Sequence, residues 1–245
     1  MTPAIGDEVS LLVALKSWWR TETARGGAWG ALHLFSSLLW EFFRDSTPAR
    51  KRQRYGDVDF DWDYRVDTTG ATVGWRDRLL GLFHSPYQPT DPALFHEILS
   101  GLQTDFSEFT FVDVGSGKGR ALLMAADYPF RRILGIELFP GLHGIALDNI
   151  RNYKSETKKC FAIESICADA RIFEFPMEPM VLYLFNPLPE AGLREMLQNL
   201  ERSLNEHPRP VFILYSNPLL ESAFEVSTRF KKTAATHQYS VYEMN

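Results

Sequence analysis

Residues 109–120, FTFVDVGSGKGR, place an acid, Asp113, two residues ahead of three alternating glycines, Gly115, Gly117 and Gly119. Phe109, Phe111, Val112 and Val114 have the aromatic and β-branched character of a strand buried on both faces. Good helix formers follow from Ala121 to Ala126. The stretch therefore reads as a strand delivering a tight turn into a helix. Glycines at such a turn let the backbone approach a ligand, and free N–H groups at a helix start favour negative charge. Gly115, Ser116, Gly117, Lys118 and Gly119 thus form a candidate cradle for a nucleotide-like cofactor. A second acid, Glu137, lies 18 residues beyond Gly119. That is about the separation at which an α/β fold sets a carboxylate beside a cofactor ribose, where it accepts hydrogen bonds from the hydroxyls.

Three cofactor loops compete for this spacing. A phosphate-cradling P-loop needs a glycine five residues before the Gly-Lys pair and Ser or Thr after the lysine. Here Val112 and Gly119 stand at those places. A dinucleotide fingerprint, G-x-G-x-x-G, begins well at Gly115 and Gly117 but meets Arg120 where helix and strand should pack on a third glycine. The pattern as it stands, two apolar residues, Asp113, then Gly115-x-Gly117-x-Gly119, resembles motif I of the Rossmann-like S-adenosylmethionine-dependent methyltransferases. An NAD-dependent oxidoreductase and a cofactor-binding module without catalysis stay open beside it.

Further positions fit the same resemblance in the same order along the chain. Asp169 followed by Ala170 resembles the family position that accepts from the adenine amino group. Asn186-Pro187 resembles the Asn/Asp-Pro-Pro-aromatic motif of amino-group methyltransferases, with Leu188 and Pro189 replacing its last two residues. Tyr87, Pro89 and Thr90 resemble a Tyr-x-Pro-Thr loop that folds over the cofactor in lysine methyltransferases lacking a SET domain and in bacterial relatives. The segment from Phe60 to Thr68 is similar to one that precedes the catalytic domain in uncharacterised bacterial members, with Arg65 in the place of a glycine. The resemblance implies S-adenosylmethionine as cofactor and methyl transfer to a nucleophile. Protein lysine is the first acceptor class, followed by a small-molecule amine or hydroxyl. It casts Asp113, Glu137 and Asp169 as holders of the amino-acid, ribose and adenine parts, and Asn186 with Pro187 as the chemical end.

These residues need a scaffold that brings strand ends together. Strands at 131–138, 160–167, 180–185 and 210–215, with helices at 141–154 and 191–205 among them, alternate as a doubly wound, mostly parallel sheet requires. Two short strands, 228–232 and 238–244, complete a seven-strand Rossmann-like plan. In open α/β sheets ligands bind beyond the carboxyl ends of the strands, so the candidate residues share one crevice. Residues 55–245 form the expected catalytic domain, with its sheet core at about 105–245. Residues 1–54 form an N-terminal helical extension and charged linker.

Composition agrees with one large domain plus an appendage: 245 residues, 45% hydrophobic and 23% charged. A formal charge of −5 argues against broad attraction to nucleic acid. Cys160 and Cys167 have no partner at metal-ligand spacing and read as reduced core residues, so no metal site is expected. Asp7 and Glu8 near the start, and apolar runs too short to span a bilayer, predict a cytoplasmic protein without a transmembrane segment. Two helices are expected before residue 44, broken at Gly26-Gly27. The second carries an apolar stripe at Trp29, Leu32, Phe35, Leu39 and Phe42. That stripe predicts a cap packed on the main domain, with a membrane-surface or homodimer helix as the alternative. Arg44 to Asp63, basic and then acidic, reads as a solvated linker.

Overall fold

The structure is a computed structural model, and it describes residues 11–45, 58–69, 88–225 and 229–244. The chain divides into two units, Met1–Val58 with Thr69–Gln88, and Asp59–Thr68 with Pro89–Asn245. In the first unit the described element is α1, Leu11–Asp45, two helical segments that meet at Gly27 (φ 71°, ψ 172°). The break expected at the glycine pair falls on its second member. The segments fold against each other, with the Trp18 and Phe35 rings 5.8 Å apart. Trp29 and Leu32 of the expected stripe, and Trp40 next to Leu39, stand exposed.

The second unit is built on one seven-stranded sheet in the order β3-β2-β1-β4-β5-β7-β6. Its strands are β1 Thr110–Val114, β2 Arg132–Glu137, β3 Ile163–Cys167, β4 Met180–Leu184, β5 Val211–Ser216, β6 Lys231–Ala235 and β7 Tyr239–Met244. The first five pair in parallel. β7 runs antiparallel to both β5 and β6. This is the doubly wound, mostly parallel sheet expected from the alternating pattern. In register, Asp113 lies opposite Gly135 on β2 and Tyr183 on β4.

The helices of this unit are α2 Val58–Tyr64, α3 Pro92–Ser100, α4 Arg120–Ala125, α5 Pro140–Asn152 and α6 Glu190–Glu206. Strand alternation sends Val112 and Val114 to one face, where they join a core with Leu193, Leu197 and Leu200 of α6. Phe111 lies on the other face with Phe95 of α3 and Leu122 and Leu123 of α4. Burial on both faces explains why β1 and β4 read as nearly continuous apolar runs. Caps set where the helices begin. Asp91 accepts from the Leu94 amide at 2.9 Å ahead of α3, and proline opens both α3 and α5.

Three expectations shift. β6 runs over Lys231–Ala235 rather than 228–232. β3 begins at Ile163 rather than Cys160, because the amides of Lys159 and Cys160 bond to the Ala126 carbonyl at the end of α4. The acidic half of the expected linker includes a helix, α2, and Asp61 on it is ion-paired to the buried Arg120 rather than solvated. β6 lies at the sheet edge with all five residues exposed, and its Lys231 and Lys232 are the charges that keep such an edge from pairing with other chains.

Candidate active site

The sheet order places β1 between β2 and β4, so the chain turns to opposite sides of β1 as it builds outward. Such a switch point is where open α/β sheets bind ligands. The carboxyl ends of β1, β2 and β4 bring the glycine loop, Glu137 and Asn186 to this place.

Asp113 is 4% exposed. Among the described residues no group donates a hydrogen bond to its carboxylate. Burial, and then the Glu137 charge, push its pKa up from 3.8 to about 8. A buried carboxyl left in this condition is a costly feature, and a cationic ligand would offset the cost. Glu137 is also buried, but it is engaged. Its Oε2 accepts from the Gly117 amide at 2.7 Å and its Oε1 from the Phe139 amide at 2.8 Å.

The loop glycines serve packing as much as ligand approach. Gly115 has φ +74°, and a Cβ there would meet Cβ of Pro187 at 2.8 Å. The loop and the β4 turn therefore interlock through a residue that must be glycine. Gly117 (φ 55°) turns its amide to Glu137. Gly119 (φ 84°) caps α4 in a left-handed conformation and closes on Ala146 of α5. Ser116 is buried, and its hydroxyl finds no partner among the described residues. The Lys118 side chain is wholly buried and turned to Asp67, with Nζ to Oδ1 2.8 Å, so its ammonium is committed to the fold. Burial pushes that ammonium's pKa down, while Asp67 and Asp61 push back.

Asn186 and Asp169 differ from expectation in the state of their side chains. Asn186 adopts φ 45°, a left-handed conformation that asparagine tolerates better than most residues. Its Oδ1 accepts from the Tyr215 hydroxyl at 2.8 Å and its Nδ2 donates to the Asn217 carbonyl at 2.8 Å. The amide expected to face a nucleophile is thus largely spent on tying the β4 and β5 ends together. The Asp169 carboxylate is held by Arg171, whose Nε lies 3.0 Å from both oxygens. It is therefore already charge-paired where a free acceptor was expected. Ala170 is buried in the α6-side core. Thr90 is buried, with the Tyr183 hydroxyl 3.4 Å from its Oγ1. That contact brings the Pro89-Thr90 segment to the strand that neighbours Asp113. Tyr87 lies outside the described residues.

Sequence reasoning assigns no site role to Gly135, Asn217 or Arg120. Gly135, mid-strand on β2, is required because a Cβ there would meet Leu122 Cδ1 at 2.6 Å and Ser116 Oγ at 2.7 Å. A lone glycine inside a strand pattern is the usual signal of such close approach. Asn217 repeats Asn186 in a left-handed conformation, φ 49°. The signal was the same Asn-Pro dipeptide ending two consecutive strands. Arg120, the residue that breaks the dinucleotide fingerprint, is 2% exposed and bonds to Thr68 Oγ1 through Nε at 2.7 Å. Among the described residues no helix is long and apolar enough to cross a membrane.

No protein-family model matches the chain, and a search of curated proteins finds no relative. Solved structures with a similar backbone include a ribosomal protein L11 methylase from Lactobacillus delbrueckii subsp. bulgaricus, at 15% identity and TM-score 0.43, covering 63% of this chain and 75% of that one. A predicted N6-adenine-specific DNA methylase from Listeria monocytogenes gives 15% identity and TM-score 0.47, over 64% of this chain and 51% of that one. An RNA methyltransferase from Salinibacter ruber, in complex with S-adenosylhomocysteine, gives 20% identity and TM-score 0.40, over 64% and 92% of the two chains.

Proposed function

We propose that the chain is an S-adenosylmethionine-dependent methyltransferase acting on an amine. The observation that carries this reading is the buried carboxyl of Asp113, which has no hydrogen-bond donor among the described residues, beside Glu137 at the switch point of the sheet. A ligand bearing an ammonium and a ribose diol would complete that pair, and the donor set fits S-adenosylmethionine. Bound there, the cofactor supplies a methyl group activated by a sulfonium. Asp113 takes the ammonium, Glu137 takes the ribose hydroxyls, and the backbone of residues 115–119 lines the approach. Asp169 and Ala170 flank the adenine, with the Asp169 carboxylate shared between adenine and Arg171. Pro89 and Thr90 belong to a segment that covers the cofactor.

On the acceptor side the chain offers position rather than a strong base. Pro187 is locked against Gly115, and Asn186 is locked to β5. The Asn186 backbone carbonyl and the spare lone pair on its Oδ1 are fixed acceptors for an amine. Removal from water lowers the pKa of an amine held there, and the acceptors orient its N–H groups so that the lone pair is aimed. With reacting atoms about 3–3.5 Å apart, positioning alone supplies much of the acceleration of an in-line displacement. Protein lysine is the first acceptor class and a small-molecule amine or hydroxyl the second. An NAD-dependent reading is disfavoured by the antiparallel β7 between β5 and β6, which departs from the dinucleotide order 3-2-1-4-5-6.

The test is transfer of labelled methyl from S-adenosylmethionine into a cell extract by the purified protein, followed by size separation and hydrolysis. Label in N-methyl-lysine of the protein fraction is the expected result. Label in a small amine or hydroxyl would move the acceptor class. Tight cofactor binding with no labelled product would favour a non-catalytic binding module.

A further inference from the structure

The glycine loop carries two buried cations, Lys118 and Arg120, on either side of Gly119, with exposures of 0% and 2%. Neither points to the crevice acids. Both are neutralised by residues of one short segment, Asp59–Thr68. Lys118 Nζ lies 2.8 Å from Asp67 Oδ1. Arg120 donates through Nε to Thr68 Oγ1 at 2.7 Å and through Nη2 to Asp61 Oδ1 at 3.5 Å, with its guanidinium 4.7 Å from the Phe60 ring centroid. Asn149 on α5 completes the clamp. It accepts from the Asp67 amide and donates to the Asp67 carbonyl, both at 2.7 Å, and donates to the Lys118 carbonyl at 2.9 Å.

The segment is shaped for this contact. α2 ends with Arg65 at φ 55°, and the Val66 amide bonds back to the Asp61 carbonyl at 3.0 Å. This is the Schellman pattern, whose left-handed position glycine usually fills. The reversal returns Thr68 to Asp61, which accepts from the Thr68 amide at 2.8 Å and from its hydroxyl. Buried cations that lose a partner are strongly destabilised, so docking of the segment favours this conformation of the loop.

We propose that residues 59–68 are a strap that positions the glycine loop, with Asp61, Asp67, Thr68 and Asn149 as positioning residues whose loss loosens the loop and weakens cofactor binding. The strap is continuous at both ends with the N-terminal unit, which comprises Met1–Val58 and Thr69–Gln88. The affinity part rests on the methyltransferase reading; the loop part does not.

The experiment compares Asp61→Asn, Asp67→Asn and Asp67→Glu with the wild-type full chain. Hydrogen exchange of the ligand-free proteins is read at the amides of residues 115–119 and of Val112 and Leu182. Calorimetry with S-adenosylhomocysteine reads affinity. The strap predicts loop exchange at least tenfold faster in both Asn variants, with the strand amides unchanged. It also predicts ten- to hundredfold weaker S-adenosylhomocysteine binding, and values near wild type for Asp67→Glu. If Asp61→Asn does not fold, Asp67→Asn decides, because Asp67 is 42% exposed and its loss leaves the Arg120 contacts in place. Unchanged loop exchange, or loop and strand amides accelerating together, would overturn the proposal. So would a loosened loop with unchanged affinity. A wild type that does not bind S-adenosylhomocysteine would sink the methyltransferase reading, while the exchange data would still decide the strap.

Discussion

Replacing Glu137 separates what the residue does for the fold from what it does for a ligand. Its carboxylate accepts two backbone amides, Gly117 at 2.7 Å and Phe139 at 2.8 Å, in a buried setting. Glu137→Ala strips both donors of their acceptor, at about 1–3 kcal/mol each, so the ligand-free protein should lose about 2–6 kcal/mol. That is a large share of the roughly 5–15 kcal/mol by which a domain is stable. Glu137→Gln keeps one acceptor oxygen and sets an amide donor against the other N–H, and a loss of about 1–3 kcal/mol follows from one unmade bond. The Gln variant also removes one of the two causes that raise the Asp113 pKa, leaving burial, the larger one. Two charge-assisted bonds to ribose hydroxyls contribute about 1.5–3 kcal/mol each before water compensates. S-adenosylhomocysteine should therefore bind folded Glu137→Gln at least tenfold more weakly. Urea denaturation gives the first quantity and calorimetry on the folded variant the second. Wild-type stability in Glu137→Ala would refute the loop role, and unchanged affinity in Glu137→Gln the ribose role.

Other residues give independent tests. Because the Asp113 pKa rises from 3.8 to about 8 on folding, the folded chain holds a proton that the unfolded chain has released between those values. The stability this group contributes is full below about pH 4 and lost as pH rises through about 8. Affinity for a cationic ligand should move the opposite way, gaining up to tenfold per unit as pH approaches 8, and Asp113→Asn should flatten both trends in melting and calorimetric measurements. Arg65→Gly should stabilise the protein by about 0.5–1 kcal/mol in urea titrations, since Arg65 is held at φ 55° where L-residues are strained; a less stable variant would deny that strain. Gly135→Ala, whose Cβ would come within 2.6 Å of Leu122, should cost about 1–3 kcal/mol of stability by overpacking, and a neutral result would mean the loop yields easily.

The sheet was legible because its signals are local. β1, β2, β4 and β5 announce themselves as apolar, β-branched runs, and the glycines after β1 mark the turn whatever surrounds it. The acids were legible by type and spacing, but their environments were not. Nothing local in Asp113 says that it has no donor among the described residues while Glu137 accepts from two amides. Asn186 read correctly as a strand-end turn, yet the commitment of its amide depends on Tyr215 and Asn217, some thirty residues later. Lys118 fitted a cofactor loop by position, whereas its partner Asp67 lies 51 residues upstream. The strap was the largest omission. Its alternating acids suggest a solvated face, and only the tertiary pairing with Lys118 and Arg120 shows that they neutralise buried charge. Arg65 carried a usable clue, since a position filled by glycine in similar sequences marks a backbone with positive φ.

Calorimetric titration of the wild-type protein with S-adenosylhomocysteine and with NADH, each repeated on Asp113→Asn, bears most directly on the crevice as a methyl-donor site. Saturable one-to-one binding of S-adenosylhomocysteine to the wild type, markedly weakened in Asp113→Asn, with no heat from NADH, is the predicted result. Binding of NADH alone, or S-adenosylhomocysteine bound equally well by both proteins, would contradict it.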